Sequence, residues 1–153
     1  MPNNQDEIDR DAAGGWAKKY FFASRALLES VLRPFDLGNT QFYILSVLAT
    51  DGPLGQRELT RQLEVERATL SAMISALVRK GLITQTGAPD DQRQKVLDIT
   101  PAGRRLWAKI PNPLTLIASV AFDGVDPDDL ATARRVLVDA TARLSNYKKE
   151  MKQ

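Results

Sequence analysis

Residues 67–103 read RATLSAMISALVRKGLITQTGAPDDQRQKVLDITPAG, and this stretch decides the fold. Apolar residues recur with helical spacing from Leu70 to Val78, and the glycine at position 81 is a typical helix stop. Two β-prone runs, 82–86 and 96–99, are separated by a polar, proline-containing turn. The order predicts a helix that leads into a β-hairpin with a long tip.

Helical patterns flank this stretch on both sides. They cover residues 11–32, 39–50 and 56–63 before it, and they restart at Thr100-Pro101 after it, with Thr as the N-cap and Pro at the first helical position. Pro111 and Pro113 are expected to break or kink that helix, and a last helix starts at 126. The predicted fold is therefore mainly α with a small β-hairpin wing: a winged helix-turn-helix at 37–100, a dimerisation helix within 1–36 and dimerisation helices within 101–153.

The composition excludes several classes of chemistry. The chain of 153 residues has no cysteine and no histidine, so thiolate nucleophiles, Ser-His-Asp catalysis and metal sites built on these residues are absent. The close acid pairs, Asp90-Asp91 and Asp128-Asp129, lie in a turn and at a helix start, where they have structural explanations. We therefore expect no enzyme and no cofactor. The polar, acidic start and the lack of a long apolar run predict a cytoplasmic protein without a membrane partner.

The helix that begins at Arg67 has an outer face suited to a DNA groove. This face carries small and hydroxyl-bearing side chains, whereas Glu and Lys are commoner on an ordinary solvated helix face. Small residues permit close approach, hydroxyls bond phosphates or bases, and alanine can contact a thymine methyl. The predicted DNA-contacting residues of this recognition helix are Arg67, Ala68, Thr69, Ser71, Ala72 and Ser75.

The hairpin tip supplies Arg93 and Lys95 as further predicted DNA contacts. A wing that reaches a narrow minor groove favours arginine, because the groove concentrates negative potential. Asp91 is predicted to support the wing by pairing with Arg93. The alternative is a solvated turn with a surface ion pair of little energetic value.

The charge distribution supports DNA binding modestly. The whole chain carries 21 Lys and Arg against 19 Asp and Glu, a net charge of +2. Between Arg57 and Arg105 there are nine basic and six acidic residues, so the net charge of this segment is +3 and that of the rest of the chain is −1. The low total, and Glu64 and Glu66 just before the recognition helix, leave an alternative open, namely a protein-interaction module on a winged-helix scaffold that does not bind DNA.

Several short motifs occur in the order and spacing of one family. They are Thr40-Gln41-Phe42, the helix from Glu58-Leu59 to Leu63, Thr69-Leu70-Ser71, Leu77 with Lys80-Gly81-Leu82-Ile83, Asp91-Gln92-Arg93 and Ile99-Thr100-Pro101-Ala102-Gly103. Over about residues 37–106 the chain thereby resembles the MarR family of transcriptional regulators. The resemblance implies a homodimer that binds double-stranded DNA at a palindromic operator, usually as a repressor, and is released by a small phenolic or anionic ligand. It assigns Asp91 and Arg93 to the wing, and Arg67, Thr69, Ser71 and Ala72 to the recognition helix.

Five aromatic residues are candidates for binding such an effector. They are Trp16, Tyr20, Phe42, Tyr43 and Trp107. A pocket lined by aromatic rings, with Arg25, Arg104 or Arg105 to receive an anion, suits aromatic acids and phenols. The alternative is that these aromatics are core or dimer-interface residues.

The last helix carries a narrow apolar seam with heptad spacing. Its residues, at steps of three and four, are Leu130, Ala133, Leu137, Ala140, Leu144, Tyr147 and Met151. A narrow seam suits a partner helix, so Leu130, Leu137, Leu144 and Tyr147 are predicted to form the dimer interface. The alternative is that the helix packs on the core of its own subunit.

Overall fold

A computed structural model describes residues 12–152, which are mainly helical with a small antiparallel sheet. The helices are α1 (Ala13–Leu32), α2 (Asn39–Asp51), α3 (Gln56–Leu63), α4 (Arg67–Arg79), α5 (Pro101–Lys109), α6 (Pro113–Ala121) and α7 (Pro127–Glu150). The strands are β1 (Leu54–Gly55), β2 (Ile83–Gly87) and β3 (Lys95–Ile99). This is the winged helix-turn-helix architecture that the sequence predicts.

The chain forms two compact units, one ending at Ile117 and the other beginning at Ala118. The first unit holds the hydrophobic core. Its fully buried aliphatic residues are Leu32, Ile44, Leu45, Leu48, Leu59, Leu70, Ile74, Leu77 and Leu97. Burying one such side chain stabilises the fold by about 1.5–3 kcal/mol, so this cluster fixes the relative positions of α1, α2, α3, α4 and β3.

The wing contains one strand more than the predicted hairpin. β2 and β3 pair antiparallel, from Ile83 opposite Ile99 to Gly87 opposite Lys95. β1 joins the other side of β3, with Leu54 opposite Leu97, so the strand order is β1-β3-β2. A strand of two residues is too short to show the alternation by which strands are recognised in a sequence.

α5 begins as the sequence predicts. The Oγ1 of Thr100 accepts a hydrogen bond from the backbone N–H of Gly103 at 3.0 Å, and Pro101 is the first helical residue. The same hydroxyl donates to the carbonyl of Gly81 at 2.7 Å, which joins the start of α5 to the turn after α4. At Gly103, a Cβ would lie only 2.2 Å from the carbonyl oxygen of Leu82, so no side chain fits there.

The prolines interrupt the helix after the wing, as predicted. α5 ends at Lys109, and α6 starts at Pro113. The Oδ1 of Asn112 accepts hydrogen bonds from the backbone N–H groups of Leu114 and Thr115, at 3.1 and 3.2 Å, and so caps the new helix.

α7 is the main element of the second unit. Asp126 caps it by accepting a hydrogen bond from the N–H of Asp128 at 2.7 Å, and Pro127 is its first residue. None of its 24 residues is buried. Within residues 12–152, no helix combines the length and apolar character needed to cross a membrane.

Candidate nucleic-acid interface

α4 is held so that one face packs inward and the other stays free. Leu70, Ile74 and Leu77 are fully buried, whereas the start of the helix projects beyond the core. α3 and α4 are joined by a short turn in which Glu64 adopts a left-handed conformation with φ of 51°. The pair forms the helix-turn-helix, with α4 in the place of the recognition helix.

Most of the predicted contact residues lie on the free face of α4. The exposed ones are Arg67, Ala68, Thr69, Ala72 and Ser75. Ser71 differs: it is half-buried, and its hydroxyl accepts a hydrogen bond from the Nε2 of Gln56 at 3.3 Å. The helix turns this position toward α3, and the predicted DNA contact of Ser71 stays a prediction.

Asp91 supports the wing through the backbone of Arg93. Its Oδ1 accepts a hydrogen bond from the Arg93 backbone N–H at 3.0 Å, and the Asp91 carbonyl accepts one from the N–H of Gln94 at 3.1 Å. This is the local turn that Asx side chains favour. In the part of the chain that the structure describes, the two side chains form no ion pair, so the pairing that was predicted is wrong in its detail and the Arg93 guanidinium is left unpaired.

Residues from α3, α4 and the wing surround a cavity of about 410 Å³. The lining residues are Gly55, Gln56, Arg57, Thr60, Arg67, Arg93, Gln94 and Lys95. Arg67, Arg93 and Lys95 were predicted as DNA contacts, and the fold brings them to one place. Arg57, Gln56, Thr60 and Gln94 were missed, because no sequence spacing relates the start of α3 to the base of the wing. We call this space the cationic cavity.

Four cationic side chains line the cationic cavity: Arg57, Arg67, Arg93 and Lys95. All four are exposed, and among residues 12–152 none of them forms an ion pair. Cations gathered in a concave site raise the local positive potential more than the same charges spread over a surface. The net charge of the chain, only +2, therefore understates the field at this site.

Of the acidic residues near the cationic cavity, Glu58 has hydrogen-bond partners on its own helix. Glu58 accepts hydrogen bonds from Arg61 and Gln62, and these bonds lower the pKa of the Glu58 carboxyl to about 2. Arg61 is therefore paired with Glu58 and not with Glu64. Glu64 and Glu66 are exposed and form no ion pair within the described residues.

The five aromatic candidates fall into two groups. Phe42 is 2% exposed in the core, and the ring centroid of Trp107 lies 5.5 Å from its own. Tyr43 is exposed beside Phe42, with a centroid distance of 5.4 Å. On α1, Trp16 and Tyr20 are exposed, and the Nζ of Lys19 lies 4.2 Å from the centroid of the Trp16 ring. For Phe42 these contacts favour a core role.

The arginines predicted to bind an anion lie on different helices. Arg25 lines a cavity of about 660 Å³ at the corner between α1 and α2, which Thr69 of α4 also lines. Arg104 and Arg105 are exposed on α5. At the same corner, the Nζ of Lys80 donates to the carbonyl of Asp36 and lies 3.3 Å from its Oδ2, which ties the end of α4 to the turn after α1.

The predicted dimer residues on α7 remain largely uncovered in the single chain. Leu137 is 53% exposed, Leu144 73% and Tyr147 59%, while Leu130 is half-buried. These are large apolar side chains, and together they form a continuous seam with the spacing already described.

Comparison with known proteins agrees with this architecture. A model of the MarR family matches residues 37–95, from just before α2 to the first residue of β3. Over this winged helix-turn-helix segment the chain is similar to the MarR family. Among its relatives, the HTH-type transcriptional regulator YhbI of Bacillus subtilis is 23% identical over 112 residues, which cover 73% of each chain.

Two solved structures share the fold. A cysteine-to-serine mutant of Escherichia coli MarR, complexed with operator DNA, has a TM-score of 0.78 and 20% identity over 88% of this chain and 99% of its own. Bordetella bronchiseptica BpsR, whose DNA binding is regulated by 6-hydroxynicotinic acid, has a TM-score of 0.75 and 20% identity over 91% of this chain and 96% of its own. MarR-family proteins are DNA-binding transcriptional regulators, which confirms the prediction of a regulator rather than an enzyme.

Proposed function

We propose that this protein binds a palindromic DNA operator as a homodimer in the cytoplasm, represses transcription there, and is released by a small aromatic or anionic ligand. The cationic cavity carries the DNA-binding part of this proposal. Arg67 comes from the recognition helix and Arg93 and Lys95 come from the wing, and they meet at one site that suits the phosphate backbone.

The exposed face of α4 supports sequence-specific binding in the major groove. Ala68 and Ala72 are exposed and small, so they permit close approach of the helix, and Thr69 and Ser75 offer hydroxyls to bases or phosphates. The hydroxyl of Ser71 accepts from Gln56 and keeps its own O–H as a donor for a base or phosphate.

The alternative, an interaction module that does not bind DNA, is favoured by the exposed acids Glu64 and Glu66. The four unpaired cations of the cationic cavity weigh against it, because a protein surface with no polyanionic partner gains nothing from gathering like charges. Measuring duplex binding as a function of salt separates the two functions.

The variant Arg93→Ala tests the role of the wing. We expect it to weaken operator binding by about 1–3 kcal/mol and to reduce the slope of log affinity against log salt by about 0.9 for each phosphate that is no longer neutralised. The control is Arg79→Ala, which removes an exposed arginine at the far end of α4. Fluorescence anisotropy at several salt concentrations makes the measurement. Equal affinities for wild type and Arg93→Ala at physiological salt would exclude the wing from the interface.

Homodimerisation is proposed from the exposed seam of α7. The predicted division of the chain, with α1 and the C-terminal helices serving the dimer and residues 37–100 serving DNA, is part of this proposal. Residues 1–11 of the predicted N-terminal segment lie outside the described part. A two-fold arrangement of recognition helices matches a palindromic operator, because each half-site meets an identical subunit.

Effector release is proposed from the exposed aromatics and from the relative BpsR, whose DNA binding is regulated by 6-hydroxynicotinic acid. The exposed Trp16, Tyr20 and Tyr43 and the half-buried Trp107 are the residues that would meet an aromatic ligand, whereas Phe42 is held in the core. We expect small aromatic acids, screened singly, to include one that quenches tryptophan fluorescence and dissociates the DNA complex at the same concentration. Quenching without dissociation would show that the bound compound is not an effector.

A further inference from the structure

One carboxamide joins three elements of the DNA-binding unit. Gln56, the first residue of α3, donates from Nε2 to the hydroxyl of Ser71 on α4 at 3.3 Å. Its Oε1 accepts a hydrogen bond from the Nε2 of Gln85 on β2 at 2.7 Å. The backbone carbonyl of Gln56 accepts from the hydroxyl of Thr60 at 2.8 Å, which holds the first turn of α3.

This junction lies where wing and recognition helix have to be kept at a fixed separation. Gln56 lines the cationic cavity, so the contacts are made beside the cations. On the sheet, Gln85 is opposite Leu97 and is two residues from Gly87, which is opposite Lys95. Because β2 pairs with β3 along this stretch, the Gln56–Gln85 hydrogen bond helps to set the position of Lys95 relative to α4.

We propose that Gln56 is a positioning residue that fixes the wing relative to the recognition helix, so that Arg67 on α4 and Arg93 and Lys95 on the wing engage the same stretch of DNA. This rests on the proposed function. The carboxamide is suited to the role because it donates to one element and accepts from another with a single side chain. Ser71 and Gln85 act with it by holding its two ends.

The test compares Gln56→Leu with Gln62→Leu in the full chain. Both changes remove a carboxamide of α3, but Gln62 bonds to Glu58 on the same helix. With a random-sequence duplex and a selected operator duplex as probes, we expect Gln56→Leu to bind about fivefold to tenfold more weakly. We also expect its log–log salt slope to fall by about 0.9, as for one phosphate that is no longer neutralised. Gln62→Leu is expected to match the wild type in both.

A double-variant comparison distinguishes positioning from a general loss of stability. If Gln56 acts by placing the wing, then Gln56→Leu costs little further affinity in a chain that already carries Arg93→Ala. A merely structural role gives additive losses and an unchanged salt slope. Ser71→Ala is measured in the same way. If its loss of affinity is not additive with that of Arg93→Ala, Ser71 acts by holding Gln56 in place. An additive loss shows that Ser71 contacts DNA instead.

The outcomes for this inference and for the proposed function differ. If wild type and Gln62→Leu bind DNA and Gln56→Leu binds equally well with the same salt slope, the positioning role is wrong and the proposed function stands. If the wild type binds no duplex at low ionic strength, both are wrong. Should Gln56→Leu fail to fold by circular dichroism, Ser71→Ala and Gln85→Leu decide the matter by the same two criteria.

Discussion

The core around α4 and the helix α7 use apolar residues in opposite ways. In the first unit, Leu70, Ile74 and Leu77 of α4 are completely buried by other parts of the same chain. In α7, Leu137 and Leu144 recur just as regularly and are 53% and 73% exposed. Periodicity alone does not separate the two cases, because both helices have an apolar stripe.

Only the first of these two regions buries its apolar residues within a single chain. The DNA-binding unit closes its own core, so its stability depends on contacts within one chain. The seam of α7 leaves contiguous large apolar side chains in water, which soluble proteins rarely tolerate without a binding partner. A second copy that presents the same seam is the partner proposed above, because it meets the narrow stripe with an equally narrow one.

The largest expected effect comes from placing charges in the seam. Leu137→Glu with Leu144→Glu removes two apolar side chains per subunit, each worth about 1.5–3 kcal/mol when buried, and adds charges that must be desolvated. We expect monomers or unfolded chains at micromolar concentration in sedimentation velocity. The matched control is Arg135→Glu with Ala142→Glu, which has the same spacing on the opposite side of α7. A dimer that survives the first pair of changes would mean that the seam is not the interface.

The core of the first unit is tested by Leu70→Ala. Deleting this buried side chain is expected to lower the free energy of unfolding by about 2–5 kcal/mol, because a cavity remains. Val78→Ala on the same helix is the control, since Val78 is 38% exposed and its truncation costs less. Urea unfolding monitored by circular dichroism measures both. Equal losses of unfolding free energy in the two variants would contradict the assignment of Leu70 to a buried face of α4 and Val78 to an exposed one.

The smallest expected effect concerns Glu58 on the surface of α3. Hydrogen bonds from Arg61 and Gln62 lower the pKa of this carboxyl from 4.5 to about 2. A lowered pKa in the folded state means that the contribution to stability is present above pH 4.5 and is lost as the pH falls toward 2. Glu58→Gln is expected to remove this part of the pH dependence and to lower the melting temperature at neutral pH by the same small contribution, because the pair is exposed to solvent. Identical acid titrations of stability for variant and wild type would contradict it.

Local sequence signals predict the elements of this fold well. Thr100-Pro101 marks the start of α5, and the spacing from Leu70 to Leu77 gives the buried face of α4, because capping and periodicity are properties of neighbouring residues. Contacts between distant segments are not predictable in this way. Leu54–Gly55 pairs with β3 only after the chain has folded, and the approach of Gln56 to both Ser71 and Gln85 spans 15 and 29 residues.

The candidate site shows the same limit. Arg67, Arg93 and Lys95 could be chosen from the sequence, because a helix start and a hairpin tip are recognisable places for DNA contacts. Arg57 could not, since the start of α3 is brought to the wing by the pairing of β1 with β3 and by the Gln56–Gln85 hydrogen bond. The partial burial of Ser71 could not be predicted either, because its position along α4 does not reveal that Gln56 bonds to it.

The number of chains bound to one DNA duplex tests the central claim most directly. Oligonucleotides are selected from a random library by the purified protein, and a labelled selected duplex is titrated with the protein and followed by sedimentation velocity. The account predicts two chains on each duplex, and an affinity that falls steeply as the salt concentration rises. A single chain on each duplex, or no complex with any duplex at low ionic strength, would contradict it.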